Sequence, residues 1–162
     1  MSHHQTPVVL AMLLLLFCCS VSFSEDIVRW RPSGQLIPRI EYVARDEGGK
    51  CTIVATEPSS GMILFSSELA KDESDDLKAA TQSLLSCRDV DYKSIDGNIL
   101  RIVAYSKDKK DPTTISYAVS ELYNNPASTF IPHEDIDNIA VIMKWLSLID
   151  RIFRKRGLEQ LW

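Results

Sequence analysis

The chain has 162 residues, one domain's worth, of which 45% are apolar, 25% charged and 8% aromatic. These are globular proportions, and they exclude collagen-like and wholly disordered chains. The formal charge is −4 and the basic residues are dispersed until the C-terminus, which argues against nucleic acid as a partner.

The first feature along the chain is the apolar run Val8–Cys19. It has the length of a secretory signal core and falls short of the about 20 residues a membrane-spanning helix needs. Ser22 and Ser24 are small residues placed for cleavage after Ser24, so residues 1–24 are read as a signal peptide. The expected location is outside the cell or in the lumen of the endoplasmic reticulum. Only His3 and His4, and no Lys or Arg, precede the run. An uncleaved anchor or apolar N-terminal segment therefore stays open, and with it a cytoplasmic or nuclear chain.

Residues 25–162 read as a single α+β domain: an antiparallel sheet with packed helices. Glu25–Pro38 reads as an arm carrying Arg29, Trp30 and Arg31, followed by the turn signal Pro32-Ser33-Gly34. Ile37–Ala44, Cys51–Thr56 and Met62–Ser66 read as strands, with turns at Glu47-Gly48-Gly49 and Pro58–Gly61. From Ser67 to Ser86 the apolar spacing turns helical, interrupted by the acidic stretch Lys71–Asp76. Asn98–Ser106 reads as another strand, Lys107–Asp111 as a solvated loop, and Thr114–Tyr123 as a short helix.

Asp135–Arg156 is the clearest helix. Ile136, Ile139, Ile142, Met143, Leu146, Ile149 and Phe153 recur at helical spacing, with an acidic start, a basic end and Gly157 just beyond. Val141, Trp145, Leu148 and Ile152 form a second apolar stripe beside the first. A helix apolar over most of its circumference is either buried on several sides or shared with a partner. One stripe suffices to cover a single sheet. The second is therefore expected at an interface with a protein partner or another copy of the chain, with a membrane surface as the less favoured option.

Cys18 and Cys19 fall within the leader, leaving Cys51 and Cys87. In an oxidising compartment these two are expected to form a disulfide. The alternatives are two buried free thiols or a metal pair, the latter disfavoured because neither C-x-x-C nor a His pair accompanies them. No Asn-x-Ser/Thr sequon follows Asn98, Asn124, Asn125 or Asn138, so N-glycosylation is not expected.

Catalytic chemistry finds little footing. His133 is the only histidine after the leader, and no nucleophile motif accompanies it. The acidic cluster Asp72-Glu73-Ser74-Asp75-Asp76 lacks the spacing and glycine of a calcium loop and reads as a solvated face. There is no phosphate-cradling glycine loop and no zinc signature. No catalytic residue, cofactor or metal is assigned, and the expectation is a non-catalytic protein.

Pro32-Ser33-Gly34-Gln35-Leu36 with Glu41-Tyr42 resembles the N-terminal signature of proteasome α-type subunits, P-x-G-x-L-x-Q-x-E-Y. Cys51–Thr56 followed by Gly61–Phe65 is similar to that family's first strand pair. Tyr92–Ile95 and Ile102–Asp108 are similar to its later strand region, so the resemblance spans Arg29 to Tyr123. One extra residue separates Leu36 from Glu41, and the signature Gln is absent. The resemblance implies a truncated αββα sandwich with a scaffolding or gating role in a ring. An N-terminal-nucleophile enzyme is not implied, since Gly49 is followed by Lys50 and Cys51 where the proteolytic subunits expose Thr. The leading expectation is thus a non-catalytic interaction domain of the secretory route. A proteasome-α-like structural subunit comes second and a small hydrolase third.

Overall fold

The computed structural model describes residues 24–33, 39–88, 90–91, 99–108, 110–118 and 136–158. The apolar run Val8–Cys19, His133 and the segment 119–135 lie outside the described residues. Those described form the expected α+β fold, one sheet carrying two helices. The strands are β1 (Ser24–Ser33), β2 (Glu41–Glu47), β3 (Lys50–Thr56), β4 (Ile63–Glu68), β5 (Val90–Asp91), β6 (Ile99–Ala104) and β7 (Thr113–Ala118). The helices are α1 (Lys71–Leu84) and α2 (Ile136–Arg154). Strand order across the sheet is β4-β3-β2-β1-β6-β7-β5. All neighbours run antiparallel except the short β5, which lies parallel to β7. Among the described residues there is no second sheet of the kind an αββα sandwich needs.

The hairpin between β2 and β3 forms where Gly48 and Gly49 permit it. Both adopt positive φ, 65° and 91°, the two-residue turn whose twist matches that of the flanking strands. Asp46 Oδ1 accepts a 2.8 Å hydrogen bond from the Gly49 N–H and holds the turn closed.

Three local expectations are corrected. Residues 24–33 form no arm: β1 is the strand between β2 and β6 at the middle of the sheet. Its alternation is hidden because the register with β2 slips between Asp26 and Val28, so Ile27 and Val28 stand side by side in sequence. Thr113–Ala118 is a strand where a helix is expected from Thr114. Its Thr-Thr-Ile-Ser-Tyr run is β-branched and aromatic, and pairing with β6 satisfies its backbone. The acidic stretch at 71–76 does not interrupt α1 but starts it. Asp72 and Glu73 occupy the first turn, where the helix dipole favours negative charge, and Glu73 Oε2 accepts from the Ala70 N–H at 3.2 Å.

Both helices pack on one face of the sheet around a single core that includes Val28, Trp30, Tyr42, Ile53, Leu77, Leu84, Ile102, Ile142 and Ile149. Trp30 and Tyr42 are cross-strand partners and their rings stack, with centroids 5.3 Å apart. Phe153 of α2 closes over both. The helices run antiparallel: Trp145 meets Thr81, Arg151 meets Asp76, and Arg156 just past α2 meets Glu73 at the start of α1. After α2, Gly157 takes φ 65° and the Leu158 N–H returns to the Phe153 carbonyl, a glycine stop of the expected kind.

Candidate interaction surface

The stripe expected to meet a partner is largely consumed by the chain's own fold. Trp145 is fully buried, its Nε1–H donating to Thr81 Oγ1 at 3.3 Å and its ring standing edge-on to Trp30 with centroids 5.3 Å apart. Leu148 and Ile152 are also buried, and only Val141 stays half-exposed. The first stripe is buried too, at Ile139, Ile142, Leu146, Ile149 and Phe153. A helix lodged between a sheet and a second helix has two surfaces to fill, so both stripes become core. None of these buried side chains offers a contact surface.

Cys51 and Cys87 are buried and unbonded, which corrects the expected disulfide. Their positions explain why. Cys51, on β3, contacts the Ser74 side chain in the first turns of α1, while Cys87 Sγ lies 3.9 Å from the Ser83 carbonyl near its far end. A rise of 1.5 Å per residue separates those two helix positions by roughly 13 Å, beyond the about 7 Å limit between Cα atoms for a disulfide. Burial pushes both thiols up from their ordinary pKa, toward the protonated form that is a poor nucleophile. Among the described residues, no three His, Cys, Asp or Glu side chains gather as a metal site would require.

The acidic cluster is not the uniformly solvated face expected. Asp72, Asp75 and Asp76 are exposed, but Glu73 and Ser74 are buried. Glu73 accepts from Arg156 Nη2 at 2.6 Å and from Lys155 Nζ at 3.2 Å, and the Arg156 guanidinium beside it pulls its pKa down from 4.5 to about 2. Arg156 also donates to Ser67 Oγ and to the Ile152 carbonyl, so one guanidinium ties the end of α2 to β4 and α1. This constellation is a structural latch.

Two surfaces remain. The first is the sheet edge at β4, which among the described residues pairs only with β3. At its start Met62, Ile63 and Leu64 are 56%, 64% and 46% exposed, and among the described residues they are the large apolar side chains left in water. A strand is expected here from the sequence, and its place at the edge is set by the pairing of the other strands. The second is the sheet face opposite the helices. Arg29 and Arg31 of β1 and Arg101 of β6 project there, flanking a depression of about 290 Å³ that Glu41, Val103 and Pro112 also line. Asp26 accepts from Arg29 Nη2 at 2.6 Å and from Arg45 Nε at 2.9 Å, and Glu41 lies 3.4 Å from Arg29. Arg31 and Arg101 are exposed and directly opposite each other in the β1–β6 register.

No family model matches the chain, and neither the curated proteins nor the solved structures provide a match.

Proposed function

We propose that the chain is a non-catalytic protein-interaction domain of the secretory route, and that its contact surface is the β4 edge rather than the C-terminal helix. The observation that carries the contact is the exposed run Met62-Ile63-Leu64 on an unpaired edge. An edge strand presents a free row of backbone N–H and C=O groups, and folds ordinarily blunt it with charge, proline, a β-bulge or a covering loop. β4 has one register irregularity against β3, beside Leu64. Here the only charge on β4 is Glu68, at its far end. The apolar residues sit where an added strand would cover them. The occupant that fits is an extended apolar segment of a partner protein, adding to the sheet beside β4. Entry into the secretory route is supported by the apolar run Val8–Cys19 and the small residues Ser22 and Ser24. The unbonded cysteines lend that part no support.

A photo-crosslinking residue at position 64, with one at exposed Ala79 on α1 as the control, tests the contact in cells expressing the full chain. A discrete adduct from position 64, missing from position 79 and lost in Ile63→Lys, is expected. Equal labelling from both positions, or none from 64, would overturn the β4 reading. N-terminal sequencing of the chain recovered from the medium tests export separately: a start at Glu25 is expected, and a chain retained in the cytosol from Met1 onward would refute it.

A further inference from the structure

The face of the sheet turned away from the helices carries an arrangement that stability alone does not account for. β1 alternates Val28, Trp30 into the core with Arg29, Arg31 to the other side, and β6 alternates Leu100, Ile102 with Arg101, Val103 in the same sense. The antiparallel register makes Arg31 and Arg101 direct cross-strand partners. Side chains so placed have Cβ atoms about 4.5–5.5 Å apart, and like charges directly opposite one another destabilise the pair. Two other arginines on this face are neutralised, Arg29 by Asp26 and Glu41, and Arg45 by Asp26. Arg31 and Arg101 reach no carboxylate among the described residues. A like-charge pair set directly opposite in the central strands breaks a local rule, and such breaks are characteristic of sites that serve binding.

The surroundings narrow the ligand. Arg31, Arg101 and Arg29 border the 290 Å³ depression, whose remaining wall includes the Glu41 carboxylate paired with Arg29, the polar Tyr105 and Thr114, and apolar Val103 and Pro112. Two planar guanidinium groups side by side suit carboxylates, each of which an arginine grips with two parallel hydrogen bonds. Apolar patches next to them suit the aliphatic neighbours of those carboxylates along a polypeptide. The chain as a whole is acidic, at −4, so this face is a local reversal of its field. We infer that the Arg31–Arg101 pair is a docking site for an acidic polypeptide segment of a partner protein, in which Glu or Asp side chains alternate with apolar ones. The site lies on a different surface from the β4 edge, and does not depend on the contact proposed there.

The test is fluorescence anisotropy of a labelled Glu-Val alternating dodecapeptide, with the Gln-Val peptide as control, titrated with the full chain at low and high salt. The Glu-Val peptide is expected to bind, to weaken with salt, and to lose about tenfold or more in affinity to the double variant Arg31→Gln/Arg101→Gln. Arg31→Lys/Arg101→Lys keeps the charge but not the fork, and should recover only part of the binding. Ile63→Lys should leave it unchanged, which separates this site from the β4 contact. Both arginines are exposed, and matching thermal melts of variant and parent chain establish that the comparison is between folded proteins. Equal affinity of the parent chain and the Gln variant, or equal binding of both peptides, would overturn the inference. So would tighter Arg31- and Arg101-dependent binding of a single-stranded oligonucleotide than of the peptide. Arginine-dependent self-association in the ultracentrifuge without peptide binding would assign the face to a second copy and refute the proposal as stated.

Discussion

Glu73 offers the sharpest test of how the two helices are fastened. Its carboxylate is 8% exposed and bonded at once to Arg156, to Lys155 and to the Ala70 N–H. Together these lower its pKa from 4.5 to about 2. By linkage, a group held that far below its unfolded value contributes about 3 kcal/mol at neutral pH. The sign follows from the depressed folded value: the contribution is complete above the unfolded pKa near 4.5, and is lost as pH falls from there toward 2. Glu73→Gln keeps an acceptor for Ala70 but removes the charge, leaving the Arg156 guanidinium, 17% exposed, without its anion. A loss of about 2–4 kcal/mol at pH 7 is expected, because an interior charge is left uncompensated. Urea melts followed by tryptophan fluorescence, repeated across an acid series, measure both effects. The parent chain should lose about 3 kcal/mol more than Glu73→Gln over the acid window in which Glu73 protonates. Parallel stability curves for the two proteins between neutral pH and pH 2 would refute the latch.

Trp145→Ala should cost about 3–5 kcal/mol by the same melts, since it empties a fully buried site between α1 and the sheet; a loss under about 1 kcal/mol with altered self-association would restore the helix as an interface. Alkylation of unreduced, denatured protein should label both Cys51 and Cys87, and protection of the pair until reductant is added would show them bonded. Tyr42→Phe should be neutral or stabilising by up to about 1–2 kcal/mol, because the hydroxyl is buried and has no hydrogen-bond partner among the described residues. Spectrophotometric titration should find one tyrosine displaced upward, as burial pushes Tyr42 up to about 12, and its absence in Tyr42→Phe assigns it. Gly49→Val should cost about 1–2 kcal/mol through its φ of 91°, with no steric contribution, as nothing lies within 4 Å of an added Cβ; a neutral result in chemical melts would contradict the turn.

The elements legible in the sequence are those whose signals are local. The Gly48-Gly49 turn names its hairpin because only a particular pair of backbone angles reverses the chain there. The long C-terminal helix is visible in its apolar spacing, its charged ends and Gly157. The α+β class follows from these pieces together. What the sequence alone left undecided depends on partners distant along the chain. β1 hides behind a bulge and becomes central only through pairing with β2 and β6. Thr113–Ala118 becomes a strand because β6 is there to take its hydrogen bonds. The second stripe of α2 is core because α1 and the sheet meet around Trp145. The two cysteines are kept apart by the length of α1, which no residue spacing reports. Arg31 and Arg101, 70 positions apart by their numbers, become neighbours through register alone. Turns and amphipathic periods are written within a few residues, whereas the identity of an edge, a buried face or a paired charge is set by long-range contacts, which form only when the whole sheet closes.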